Sequence, residues 1–443
     1  MQPAIDTGHL VPESATLDRP LATSEPAAAW SPALRVLFRF TFSYLVLYNF
    51  PFPLAYIPYV DEVAGLYFKL WNALVPWVGK HVFHVDASTL PNGSGDTTYN
   101  YVQVFCYLVI AGIAALVWSL LDRKHKRYER LQEGLRIYIR FALGAAMISY
   151  GTYKVVQSQF PAPSVDRLLQ PLGDASPMGL LWTFMGASTS YNVFTGLSEM
   201  IGGLLLTFRR TTLLGALVSI GVMANVVMLN FSYDVPVKLY SSHLLAMAIF
   251  LTLPDLRRLI DLFVLNRRVQ GVVYQPFFQR PWLRRGIVVL RTVLVVAYTA
   301  FMLSNSYANS KRYGKVENAP LYGIWNVDEL TIDGQPRPPL VTDPQRWRRV
   351  IFNDTWQVSV QLVNDSRDRY YLTIEKNTLK LTKRFDPNWA ATLTYAKPQP
   401  GLLTLEGMWD GHKLAAKLHR EPPPKFLLTT RGFHWINERP FNR

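Results

Sequence analysis

Several runs of about 18 or more largely apolar residues constrain this chain more than any other feature, because each can cross roughly 30 Å of hydrocarbon as a helix. In lipid a helix satisfies its own backbone N–H and C=O groups, which an irregular segment cannot do. The runs predict spans at about Leu34–Phe50, Tyr101–Leu121, Leu135–Val155, Val193–Phe208, Leu213–Phe231, Val237–Leu253 and Ile287–Leu303. The expected architecture is therefore an α-helical polytopic membrane bundle of about seven spans. It is followed by a polar final third of a different texture.

The net charge of +15 is distributed along the chain in a way that argues against nucleic acid as a partner. Fifteen lysines and arginines fall in the loops within 123–136, at Arg209 and Arg210, and within 257–285. The alternate loops hold only Lys69, Lys80 and Arg167. Such asymmetry follows the positive-inside rule and predicts a cytoplasmic N-terminus and an outer C-terminal domain. Residues 1–32 carry Asp6, Glu13, Asp18 and Glu25 without an apolar core, so they read as a disordered cytoplasmic tail, not a signal peptide. Cys106 is the single cysteine, which excludes an intrachain disulfide or a CxxC couple.

Between the spans, "GLYFKLWNALVPWVGKHVF" reads as an aromatic, interfacial segment. The apolar part of "QPLGDASPMGLLWTFMGASTSY" is too short to cross and reads as a re-entrant or surface helix. "LIDLFVLNRRV" reads as an amphipathic helix on the cytoplasmic surface. The domains expected are residues 33–132 with two spans and an external loop, a four-helix bundle over 133–262, a surface segment and last span over 263–304, and an external β domain over 313–443.

In that last domain "GIWNVDELTIDG", "WQVSVQL", "YYLTIEKNTLKLTKRF", "ATLTYA", "LLTLEGMWDG" and "HKLAAKLHR" alternate and are broken by Gly, Asp-Gly and Pro. Short strands at near-regular spacing suggest an antiparallel barrel or sandwich. The opening Gly323-Ile324-Trp325 resembles that of lipocalin-type barrels.

The candidate site comes from polar residues inside the spans. Tyr150, Lys154 and Gln157 follow i, i+4, i+7 spacing, so one helical face would carry all three. Glu199, Asn225, Asn230, Asp234, Lys238 and His243 fall in the same predicted outer half of the following spans. An isolated charge at such depth costs at least about 2.5 kcal/mol, so these groups are expected to pair or to face the bundle interior. One reading makes Glu199–Lys154 and Asp234–Lys238 structural ion pairs and the asparagines interhelical hydrogen bonds. The other is a polar cavity open to the outer side and partly covered by "GSGDTTYN" and "GDASPMG". Lys154, Glu199, Lys238 and His243 are then the candidates for chemistry, and Tyr150, Gln157, Asn225, Asn230 and Asp234 for binding.

His81, His84 and Asp86 have spacing compatible with metal ligation, but no third histidine follows, and no metal is expected. Arg140 and Arg291 lie near helix ends, where snorkelling accounts for them. No Walker loop, GxSxG or dinucleotide fingerprint is present.

Over about 133–262 the chain resembles the DoxX-like membrane family. The likeness rests on "YGTYK" ending one span and on "GLSEMIGGLLLTFRRTTLLGAL" across the next pair, with Glu199, Gly202, Gly203, Arg209 and Arg210 fitting the family pattern. The fold is also remotely similar to the transmembrane part of vitamin K-dependent carboxylases. These resemblances imply a quinone- or lipid-interacting membrane subunit or enzyme. Its cofactor would be a quinone or lipid, and its partners membrane lipids and a redox or other envelope protein. The alternative is a non-catalytic envelope protein whose bundle anchors an external β domain that binds a ligand or partner.

Overall fold

The computed structural model describes residues 29–54, 61–88, 93–271, 280–314, 319–383, 386–422 and 425–442. Residues 1–28 of the expected tail lie outside them. The chain divides into two units, residues 1–48 with 106–135 and residues 49–105 with 136–443.

The first unit joins α1 (Pro32–Asn49), up to Tyr48, to the second half of α3 (Thr98–Leu121) and the start of α4 (Glu129–Val155). Its buried cation is Arg39, only 4% exposed. The guanidinium donates to the Tyr128 hydroxyl at 3.0 Å, to Ser119 Oγ at 2.7 Å and to the Asp122 carbonyl at 2.8 Å. A buried charge is tolerable when its donors are occupied in this way. Phe38 stacks on Tyr128 alongside, with ring centroids 5.4 Å apart.

The second unit holds the remaining helices and the β domain. Its helices are α2 (Asp61–Val78), the body of α4, α5 (Val165–Leu169), α6 (Pro177–Ala187), α7 (Thr189–Thr207), α8 (Thr212–Ser232), α9 (Lys238–Thr252), α10 (Leu256–Phe263) and α11 (Pro281–Gly314). Local chemistry sets several starts. Ser176 Oγ accepts the Gly179 N–H at 3.1 Å with Pro177 opening α6, and Ser188 Oγ accepts the Tyr191 N–H at 3.3 Å in α7. The start of α9 is capped from afar, since Asp96 accepts the Lys238 and Leu239 N–H groups at 2.7 and 2.9 Å.

Helices stand at each of the seven expected span positions. Among the described residues four are long and apolar enough to cross a membrane: Thr98–Leu121, Thr212–Ser232, the continuous Lys238–Phe263 and Pro281–Lys311. α1 is short and carries Arg35 and Arg39; the first half of α4 is highly charged; α7 is rich in Ser, Thr and Gly. The expected amphipathic helix is shorter than its pattern suggested. It continues from α9 and stops at Phe263, with Asn266 in a left-handed conformation (φ 50°) that ends helices.

The β domain is a closed barrel, not a sandwich. Its strands are β1 (Gly323–Ile332), β2 (Gln335–Pro336), β3 (Trp347–Phe352), β4 (Gln357–Leu362), β5 (Arg367–Glu375), β6 (Thr378–Lys383), β7 (Asp386–Ala396), β8 (Leu402–Trp409) and β9 (His412–Arg420). Sequential antiparallel pairing runs from β3 through β9, and β1 pairs with both β3 and β9. The closing register runs from Trp325 opposite Arg420 to Ile332 opposite Leu414. Eight strands therefore close on themselves, with β2 a two-residue return beside β1, and closure removes the unpaired edges of an open sheet.

Asp333-Gly334 and Asp410-Gly411 turn two of the hairpins, all four residues at positive φ as a two-residue turn requires. Of the eight strands that close the barrel, the one absent from the sequence reading is β3, where the adjacent Arg348 and Arg349 break the alternation. Large side chains fill the barrel. Trp325, Phe352 and many leucines are buried inside, while Trp347, Tyr370, Trp389 and Trp409 pack with ring centroids 4.6–5.1 Å apart. Small barrels commonly fill their interiors in this way.

The barrel is fastened to the helical part of its unit by α5. Asp166, 3% exposed, receives Arg369 Nε at 2.7 Å and Arg367 Nη1 at 3.3 Å, and its N–H donates to Asn353 Oδ1 at 3.0 Å.

Candidate functional site

A cavity of about 390 Å³ lies among α4, α6, α7, α8 and α9 in the second unit. Its walls are made possible by close approach of α4 and α7. A Cβ on Gly151 would sit 2.5 Å from the Gly196 carbonyl oxygen, and one on Gly203 would sit 2.8 Å from the Gly144 carbonyl oxygen. Two crossings of this kind bring the helix backbones together, as small residues do inside bilayers. Beside the Gly151–Gly196 contact stand Lys154 of α4, whose Cβ a side chain at Gly196 would meet, and Glu199 of α7 one turn on from Gly196.

Lys154 is 6% exposed and Glu199 2%. The Lys154 ammonium donates to Glu199 Oε1, and the pair lines the cavity. Glu199 Oε2 is buried with no hydrogen-bond partner among the described residues. The pair of charges is thus neutral in sum yet not fully satisfied, which leaves one carboxylate oxygen with unused acceptor capacity. Tyr150, Asn225 and Asn230 line the same cavity. Asn230 also donates to Ser241 Oγ at 3.0 Å, joining α8 to α9.

The other sequence candidates lie elsewhere. α4 ends at Val155 and Gln157 takes a left-handed φ of 56°, so the expected face of Tyr150, Lys154 and Gln157 is cut before its third member. Gln157 instead donates to Thr189 Oγ1 at 3.0 Å. Asp234 is exposed and accepts from Lys238 at 2.8 Å, and Lys238 also lies 3.9 Å from Asp96. His243 is half-buried and donates from Nδ1 to the Leu239 carbonyl one turn back, at 2.7 Å. Gln157, Asp234, Lys238 and His243 are not among the residues lining the cavity.

The sequence reading missed one apolar wall of the cavity. Phe160 and the α6 residues Met178, Leu181, Trp182 and Met185 line one side of the cavity, and Leu181 and Met185 are each 5% exposed. Asn192, fully buried, donates to the carbonyls of Phe160 and Met185 at 3.2 and 3.0 Å and holds this wall to α7. The available signal was length: an apolar helix too short to span has to cover something. The stretches "GSGDTTYN" and "GDASPMG" contribute Gly93 and, at the start of α6, Met178 to the lining, but Asp96 of "GSGD" serves as the cap of α9.

Outside the cavity, His81 donates to the Trp77 carbonyl at 2.8 Å and stacks on the Trp77 ring. Among the described residues no group of three or more His, Cys, Asp or Glu is placed to hold a metal ion. Arg140 does not snorkel: it is 7% exposed and donates to the Thr207 carbonyl at 3.2 Å, because α7 ends beside it with an unsatisfied oxygen. Arg291 lies over the Phe208 ring, 4.6 Å from its centroid. In the barrel, His412 pairs with Asp333 and His419 with Asp328, each at 2.7 Å. The His412 ring beside Asp333 holds that carboxyl below the usual carboxylate range.

A mostly apolar cavity with one buried ion pair and a few amide and hydroxyl groups can hold a molecule with an apolar body and a small polar head. No family model and no solved structure matches the chain. Over 146 residues, 32% of this chain and 92% of the relative, it is 31% identical to the uncharacterized protein YwoB of Bacillus subtilis (strain 168). With that identity sustained over nearly the whole of the relative, the chain belongs to the same family as YwoB.

Proposed function

We propose that this is an integral membrane protein of DoxX-like type whose helical cavity binds an amphipathic ligand, a quinone or a lipid, with its polar head at Lys154 and Glu199. The observation that carries the reading is the composition of the cavity itself. Apolar side chains of α4, α6, α8 and α9 make most of its surface, and the buried pair stands at one wall. A quinone carbonyl or lipid head would accept from the ammonium of Lys154 or the amide of Asn225, and an apolar tail would take the Met- and Trp-rich side. Glu199, with one oxygen unpartnered, is the group able to take or give a proton to such a head.

In the proposed orientation the N-terminus is cytoplasmic, α1, α4 and α7 cross with the four apolar helices, and the cavity and the barrel lie on the outer side. The charge asymmetry of the loops supports this orientation. The meander order of strands and the Gly323-Ile324-Trp325 opening support a lipocalin-like reading of the barrel. Its packed interior favours the helical cavity as the ligand site over the alternative in which the bundle only anchors a ligand-binding β domain.

Native mass spectrometry of the full chain, purified in mild detergent, tests the reading. The wild type is expected to retain a quinone or lipid mass that Leu181→Trp, which fills the cavity, removes while helical content stays unchanged. A wild type free of any such adduct, or an adduct unaffected by Leu181→Trp, overturns it.

A further inference from the structure

Beyond the barrel the chain ends in "KFLLTTRGFHWINERPFNR", which the cavity reading leaves without a role. Its large apolar side chains point into open space: Phe433 is 77% exposed, Trp435 90% and Ile436 77%. Soluble surfaces rarely concentrate such groups unless something covers them.

The segment is also organised. Leu427–Thr430 forms a short helical turn, and Arg431 donates to Asn437 Oδ1 at 2.6 Å. The same guanidinium lies 3.9 Å from the centroid of the Phe441 ring, while Phe433 and Trp435 meet edge to face with centroids 5.0 Å apart. Arg431 therefore gathers the two ends of the segment and leaves the aromatic tip outside. The cations Lys425, Arg431 and Arg439 face a single acid, Glu438, over residues 425–442.

We propose that residues 425–442 are a membrane-surface anchor whose aromatic tip enters the headgroup region of an anionic bilayer. Trp and Phe favour that depth because the ring is apolar and the indole N–H can stay in the polar layer, and lysine and arginine are drawn to anionic headgroups. The bilayer is within reach. α11 is long and apolar enough to cross, and β1 begins nine residues after α11 ends at Gly314, a tether of at most roughly 30 Å when extended. A protein partner on the same patch is the competing occupant, and the test separates the two.

The full chain carrying Cys106→Ala and Ile436→Cys is labelled with an environment-sensitive fluorophore and reconstituted into liposomes of phosphatidylcholine alone or with phosphatidylglycerol. Headgroup-labelled nitroxide lipid serves as quencher, and the same label at Asn364→Cys, in an exposed turn, is the control. The expected result is strong quenching at position 436 and little at 364. Quenching at 436 is expected to rise with phosphatidylglycerol and to fall by about half or more with Lys425→Gln and Arg439→Gln together. Quenching at 436 no greater than at 364 overturns the anchor and leaves the patch to a protein partner. Equal quenching with and without phosphatidylglycerol overturns the anionic-lipid assignment.

Discussion

Replacing Lys154 by methionine removes one half of an ion pair whose side chains are only 8% and 3% exposed. At that burial, loss of a partner leaves a charge without compensation, and the expected cost is about 3–5 kcal/mol. The adjoining cavity can admit water to the surviving carboxylate, which places the expectation at the lower end, about 3 kcal/mol. Glu199→Leu should cost a similar amount for the same reason, leaving the ammonium alone. The double change, Lys154→Met with Glu199→Leu, removes both charges and also the unpartnered Oε2. It should therefore recover most of the loss and match or exceed the wild type, since an apolar replacement of a buried pair is often neutral or stabilising by about 1–4 kcal/mol. The assay is thermal and denaturant unfolding of all four proteins at one fixed detergent concentration, followed by circular dichroism. Ligand retention is read in parallel by native mass spectrometry. A double variant that folds well but retains no ligand places the pair in binding; one that folds and retains ligand makes it structural. A Lys154→Met protein as stable as the wild type would refute the reasoning, because it would show that the ammonium reaches water and that Glu199 does not depend on it.

The glycine seam gives a second expectation: Gly151→Ala drives a methyl against the Gly196 carbonyl and should destabilise the protein by about 1–3 kcal/mol, measured in the same unfolding assay. Gly221→Ala, where an added Cβ meets nothing within 4 Å, is the control. Asp166→Ala leaves Arg367 without its carboxylate and should loosen the attachment of the barrel, seen as faster proteolysis around residues 160–176 with the barrel strands still protected. The Asp333 carboxyl, held low by His412, contributes stability that is present above the usual carboxylate range and is lost as pH falls through its own lowered value. Asp333→Asn should therefore flatten the acid limb of stability against pH, and an unchanged limb in denaturant titrations from neutral to acid pH would dismiss that contribution. For orientation, with Cys106 replaced, a cysteine at Lys124 should resist membrane-impermeant reagents in intact cells and one at Asn364 should label. Labelling at both sites would overturn the proposed sidedness.

Helix positions and most strands were legible in the sequence because each depends on local pattern. Apolar runs of span length gave the helices, and alternation broken by Asp-Gly gave the hairpins, as at Asp333-Gly334 and Asp410-Gly411. β3 escaped because Arg348 and Arg349 interrupt the alternation while Val350, Ile351 and Phe352 are all buried. For the site, the chemistry and the pairs Lys154–Glu199 and Asp234–Lys238 were legible as one of two readings, but the walls of the cavity were not. Lys154 and Glu199 were readable as costly groups needing compensation, since desolvation acts on any charge within a span whatever its neighbours. The tertiary structure decided which groups meet. Gly151 and Gly196 let α4 and α7 approach closely enough for the pair to form, whereas the helix end at Val155 sends Gln157 away from it. It also turned α6 from an unplaced apolar stretch into a cavity wall and brought Asp96 to the expected Asp234–Lys238 pair. A sequence states what each residue costs to bury, but the packing of backbones 45 positions apart decides what each is buried against.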